Sequence, residues 1–194
     1  MNQEQCEVCA SLRPSHDMVN YGSIEAGYRK LCTRCFNAEV ARRSGLEGFE
    51  NTWFEPVVLQ DADGEPHEFH FKSRLSGDEV FMAAFEIWDG VRGGYEFEII
   101  GDALADQLEL RGTLIERVRR RIASKDIRID PHHGPQIAGE MIRGRISSDI
   151  EQPERTPLLI IDGQEFSWEA FGRMLMTFEG WQFRLEILDR TDEV

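Results

Sequence analysis

Four cysteines stand in two pairs at the head of the chain, Cys6-Glu-Val-Cys9 and Cys32-Thr-Arg-Cys35, with 22 residues between the pairs. Two residues between ligands let a tight turn aim both sulfurs at one point, and two such knuckles complete a tetrahedron around Zn²⁺. Two disulfides or four free thiols are the competing readings. The opening residues, Met-Asn-Gln-Glu-Gln, have neither the basic end nor the apolar stretch of a secretory leader. A reducing, cytoplasmic setting is therefore expected, which favours a metal over disulfides. A thioredoxin-like redox pair fits less well, since that chemistry uses one Cys-x-x-Cys beside a βαβ unit. Four thiolates close the coordination sphere and leave no position for substrate or water, so a structural ion is expected rather than a catalytic one. His16 lies between the pairs and is expected at the surface or behind a ligand.

The residues around the cysteines indicate what must position them. Residues 18–21 and 28–31 are strand-like and are joined through Gly22 and Gly27, which predicts a β-hairpin. After Cys35 the composition favours a helix that stops at Ser44-Gly45. A knuckle, a hairpin and a second Cys pair at the start of a helix resemble the treble-clef zinc finger, over about residues 4–45. The resemblance places Cys6, Cys9, Cys32 and Cys35 on the family's four ligand positions. It implies one structural zinc and leaves the partner open, because such fingers serve roles from nucleic-acid binding to protein docking. So small a head cannot bury enough apolar surface alone, whereas a structural zinc supplies about 10–16 kcal/mol in comparable peptides.

The remainder predicts an α+β protein, with a zinc-finger head over residues 1–48 and an acidic α+β body over residues 49–194. In the body, residues 56–60 and 68–71 read as strands about a turn at 61–64. Asp78 is placed to cap a helix carrying Val80, Phe81, Ala84, Phe85 and Trp88, and residues 95–100 read as a third strand. The end of the chain repeats this β-β-α-β order. Residues 158–161 lead through the hairpin signal Asp162-Gly163 to a helix capped by Ser167 and a last strand at 181–188. The match of Gly94-Tyr95-x-Phe97 to Gly180-Trp181-x-Phe183 suggests an internal duplication, about 54–101 and 157–189. A helix at 102–124 would join the halves, with Leu104, Leu108, Ile115, Val118 and Ile122 inward and Arg117, Arg119, Arg120 and Arg121 on a solvated face. Residues 141–146 read as one further strand. Beyond the head, the body is similar to bacterial proteins of unassigned function that join a Cys-rich head to an α+β body, which carries over no catalytic residue.

Other candidate chemistry is sparse. The chain has no nucleophile elbow, P-loop, dinucleotide fingerprint or His-Glu-x-x-His. His67-Glu-Phe-His70 is one residue short of that last motif, and on a strand its imidazoles would face opposite sides. The turn Asp61-Ala-Asp-Gly lacks the later acidic ligand of a calcium loop. His132 and His133 sit in Asp130-Pro-His-His-Gly-Pro135, which reads as a solvent loop ahead of a metal or base site. No apolar run approaches the roughly 18–20 residues of a membrane span. A net charge of −14 opposes long-range attraction to a phosphate backbone. The leading expectation is a non-enzymatic zinc-binding interaction or regulatory protein whose partner is a protein. Two alternatives are a nucleic-acid module using Arg29, Lys30, Arg34, Arg42 and Arg43, and an enzyme centred on His132 and His133. Trp53 and Phe54 would be either the first core residues of the body or a patch docking it to the head.

Overall fold

The computed structural model describes residues 3–148 and 156–192. Three apolar clusters form along the chain, each from its own stretch of sequence. The head contains β1 (Gln3–Gln5), β2 (Leu12–Pro14), a 3-10 turn (Ser15–Asp17), β3 (Met18–Ser23), β4 (Gly27–Cys32) and helix α1 (Thr33–Ser44). β3 and β4 pair as the expected hairpin. α1 ends where Gly45 takes a left-handed φ of 66°, the conformation that glycine reaches without steric cost. The cluster here is small: Cys6, Leu31 and Cys32 are buried, with Met18, Tyr21, Cys35 and Phe36 packed around them.

The central stretch is a four-stranded antiparallel meander, β5 (Val57–Gln60), β6 (Pro66–Ser76), β7 (Glu79–Trp88) and β8 (Val91–Asp102), followed by helix α2 (Gln107–Ile122). This corrects the first β-β-α-β unit, because residues 79–88 form a strand and not a helix. Two turns decide it. Gly77, at φ 64°, closes a two-residue turn between Ser76 and Glu79. Asp89 and Gly90, both at positive φ, close another between Trp88 and Val91. Two-residue loops with these dihedrals match the twist of paired strands. The helical reading arose because β7 is buried on both faces, so its apolar run has no clear period. One face packs on α2, where Phe69, Phe71, Met82, Ala84 and Ile99 meet Leu114, Val118 and Ile122.

α2 begins at Gln107, where the Asp106 carboxylate accepts the Leu108 N–H at 2.8 Å. Leu104 and Leu108 lie outside the buried stripe and are exposed. Phe54 belongs to this core and meets Phe71 edge-on at 6.3 Å, while Trp53 is exposed.

The last stretch contains β9 (Ile127–Asp130), β10 (Gly134–Ile137), β11 (Arg145–Ser148), β12 (Pro157–Ile161), β13 (Gln164–Ser167), helix α3 (Trp168–Leu175) and a 3-10 turn (Met176–Phe178). The Asp162-Gly163 hairpin forms, and the Ser167 hydroxyl accepts the Ala170 N–H at 3.1 Å as the expected cap. Of the strand expected at 141–146, only the end from Arg145 pairs. Residues 181–188 form no strand, which corrects the second β-β-α-β unit. Their alternation meets no partner backbone among the described residues, and without one an extended segment is not a strand. The two segments that suggest a duplication thus differ in element order, a β-meander against two hairpin strands and a helix.

Candidate metal centre

Each knuckle is built by local backbone. In the first, the Ala10 N–H returns to the Cys6 carbonyl at 2.9 Å, with Ala10 at φ 56°, so the chain reverses and Cys6 and Cys9 point the same way. In the second, Cys32 stands at the N-cap position of α1, without a side-chain capping bond, and Cys35 sits in the first turn. The first knuckle is held to β4, which leads into the second, by two bonds, from the Glu7 N–H to the Lys30 carbonyl at 3.0 Å and from the Lys30 N–H to the Glu7 carboxylate at 2.7 Å.

The result is convergence. The sulfurs of Cys6, Cys9, Cys32 and Cys35 all lie within 4.8 Å of one another, and Cys9 and Cys32 are 3.9 Å apart. A tetrahedron with bonds of about 2.3 Å has sulfurs about 3.8 Å apart, so one metal ion could be held here. None of the four is in a disulfide. The Cys32 N–H donates to the Cys6 sulfur at 3.2 Å, a bond that stabilises thiolate. Burial opposes ionisation of Cys6, but N–H groups of Cys9, Cys32 and Val8 outweigh it and its pKa is lowered. The Ser11 hydroxyl and N–H bring Cys9 down to about 6. Burial pushes the Cys32 and Cys35 thiols up, and their sulfur neighbours push Cys35 further. Four sulfurs this close hold four negative charges only with a cation among them.

His16 is not part of this cluster. It lies between head and body, its ring 5.9 Å from His70 and 5.8 Å from Phe85. Side chains from both sides fasten the head to the sheet at this seam, Lys72 and Asn37 among them. The Lys72 ammonium donates to the carbonyls of His16 and Met18 at 3.0 and 3.2 Å. The Asn37 side chain, on α1, donates to the Ser73 carbonyl at 2.9 Å and accepts the Leu75 N–H at 2.9 Å. That amide continues the ladder on β6 beyond the end of β5.

The meander and the last stretch are joined by a buried polar clamp that the sequence reading missed. Asp61 accepts the N–H groups of Asp63 and Glu65 through one oxygen, each at 2.9 Å, and meets Lys125 and His67 through the other. Burial raises the Asp61 pKa, but Lys125 and these donors outweigh it and hold it well below the carboxylate range. His67 turns its other nitrogen to Glu86 at 2.8 Å, and Glu86 accepts the Tyr95 N–H at 2.7 Å. Glu86 reaches inward at a β-bulge, where Gly94 is at φ 61° and any Cβ would lie 2.1 Å from its carboxylate.

Across the seam, Asp162 accepts the N–H groups of Asp126 and Ile127, both at 2.7 Å, and faces Arg121 at 3.4 Å. Asp126 in turn pairs with Arg121 and Arg143, each at 3.0 Å. Arg121 therefore leaves the solvated face expected for it and holds two carboxylates. Every carboxylate in the clamp has both oxygens engaged by these partners. The near-miss His67-Glu-Phe-His70 was the sequence's hint of it, and its two imidazoles do face opposite sides of the sheet, His67 to the clamp and His70 to His16.

His132 and His133 lie exposed in the turn between β9 and β10, where both backbone N–H groups donate to Asp130 at 2.8 Å. Replacing both by Ala is expected to leave metal content unchanged and stability within about 0.5 kcal/mol of the parent. Loss of a metal equivalent from the double variant would refute this.

The molecule is thus an α+β protein with a four-cysteine cluster at its head and a clamp between its later parts. Residues 5–47, 50–123 and 126–192 are similar to three family models, each described only as a domain of unknown function, DUF7685, DUF7686 and DUF7713 in chain order. The three apolar clusters fall one inside each matched range. No curated protein and no solved structure matches the chain. Among the described residues, no helix is long and apolar enough to cross a membrane.

Proposed function

We propose that the protein is a non-enzymatic interaction or regulatory protein whose head, residues 1–48, is a treble-clef-like finger holding one structural zinc, carried on the body of residues 49–194. The convergence of the sulfurs of Cys6, Cys9, Cys32 and Cys35 carries this reading. A tetrahedral all-thiolate set suits zinc among the available divalent metals, and it leaves no open position for substrate. The four thiols, none in a disulfide, fit the reducing cytoplasm.

A protein partner fits better than nucleic acid. Of the basic residues on the finger, Lys30 pairs with Glu4, and Arg42 and Arg43 both pair with Glu39, which they hold at a pKa of about 2. Charges matched by neighbouring carboxylates give little to a phosphate backbone. The body meanwhile exposes a run of large apolar side chains near the end of the chain. Elemental analysis of protein purified without chelator is expected to return one zinc per chain. Absence of metal, with four titratable thiols, would sink the reading. Binding to nucleic acid that weakens steeply with salt would replace its partner class.

A further inference from the structure

Residues 181–188, Trp-Gln-Phe-Arg-Leu-Glu-Ile-Leu, alternate as a half-buried strand does, yet they join no ladder among the described residues. Their apolar row stands in solvent: Trp181 is 63% exposed, Phe183 90%, Leu185 74% and Ile187 66%. The segment is tethered at both ends. Trp181 donates its N–H to the Phe178 carbonyl at 2.9 Å and meets the Phe178 ring at 5.5 Å. Beyond the segment, Arg190 pairs with Glu98 of β8 at 2.6 Å, and Arg117 of α2 donates to the Thr191 carbonyl at 2.6 Å. The span between is therefore presented away from the body with its backbone groups unladdered, a template for another strand.

We propose that residues 181–188 pair antiparallel with the same residues of a second copy, about a two-fold axis through Leu185. This names the partner for the interaction reading above and rests on it. Side-chain period is two, so only registers setting odd positions against odd ones keep both apolar rows on one face. An axis through Arg184 sets Arg184 against itself, and one through Glu186 sets Glu186 against itself. With the axis through Leu185, Arg184 of each copy faces Glu186 of the other, Phe183 faces Ile187 and Leu185 faces Leu185. Opposite charges directly across a pair stabilise it and like charges oppose it.

Two further features favour self-association. Residues 181–190 carry Arg184 and Arg190 against Glu186 and Asp189, a neutral stretch in a chain of net charge −14, so two copies meet there without local repulsion. A two-fold contact also closes on itself, and the preceding α3 region leaves Trp168, Leu175 and Met176 exposed as well.

The test is light scattering on the full-length, metal-loaded chain across a micromolar concentration series. The parent is expected to pass from monomer to dimer. R184E and E186R, both at exposed positions, each place like charges across the axis twice and should weaken dimerisation by about tenfold or more. An equimolar mixture of the two variants should restore a dimer containing both, because positions 184 and 186 are then oppositely charged across the axis on both sides. A parent that stays monomeric, variants that dimerise like the parent, or a mixture that fails to recover would each overturn the pairing. Zinc measured on the same samples separates the two levels: a zinc-loaded monomer overturns the pairing alone, whereas a metal-free chain overturns the reading of the head.

Discussion

Withdrawing the zinc proposed for the head, by chelator or by Cys32→Ser, is expected to abolish amide protection across residues 5–45 and to leave the meander and α2 protected. The buried apolar cluster of the head amounts to Leu31 and two of the four clustered cysteines, Cys6 and Cys32. A structural zinc in comparable peptides supplies about 10–16 kcal/mol, far more than that cluster could. The central core depends on none of it, since Phe69, Met82, Ala84, Leu114, Val118 and Ile122 pack on one another from β6, β7 and α2. One amide should respond at the boundary. The Leu75 N–H donates to Asn37 of the head, so it should lose protection with the head although it lies in β6. Hydrogen exchange reads this residue by residue. If Leu114 and Val118 lost protection together with the head, the metal would belong to one cooperative core and the division at residue 48 would fail.

Asp162→Asn is expected to lower stability by about 3–5 kcal/mol, the range for breaking a buried ion pair while leaving its partner in place. One Asp162 oxygen accepts two backbone N–H groups and the other faces the Arg121 guanidinium. An amide of the same shape must turn its NH₂ toward one of these donor sets. Backbone strain does not confuse the result, because position 162 has φ 50° and Asn tolerates that region as Asp does. The loss should centre on residues 126–178, whose cluster of Ile127, Ile137, Ile161, Phe166 and Met174 is oriented by the clamp. Urea unfolding of the variant measures it, and a change below about 1 kcal/mol would show that the clamp contributes little.

The head was readable from sequence because its determinants are local. Cys-x-x-Cys spacing, glycines at the hairpin and Gly45 after α1 each act within a few residues, and all three appear in the structure. The Asp162-Gly163 turn and the Ser167 cap were readable for the same reason. Asp89-Gly90 carried equal local information, and weighing it above the helical spacing of Val80, Phe81, Ala84 and Phe85 would have identified β7.

Tertiary structure alone decided the rest. β7 is covered on both faces, which erases the alternation that marks a strand, so its type depends on what lies above and below it. Residues 181–188 have the alternation but join no ladder among the described residues, because a strand exists only where another backbone offers its hydrogen bonds. The clamp draws Asp61, Glu86, Asp126 and Asp162 from four separate turns and strands. A lone carboxylate in sequence reads as surface, and it is buried here because folding brings Lys125, His67, Arg121 and Arg143 within reach, without which desolvation would forbid it.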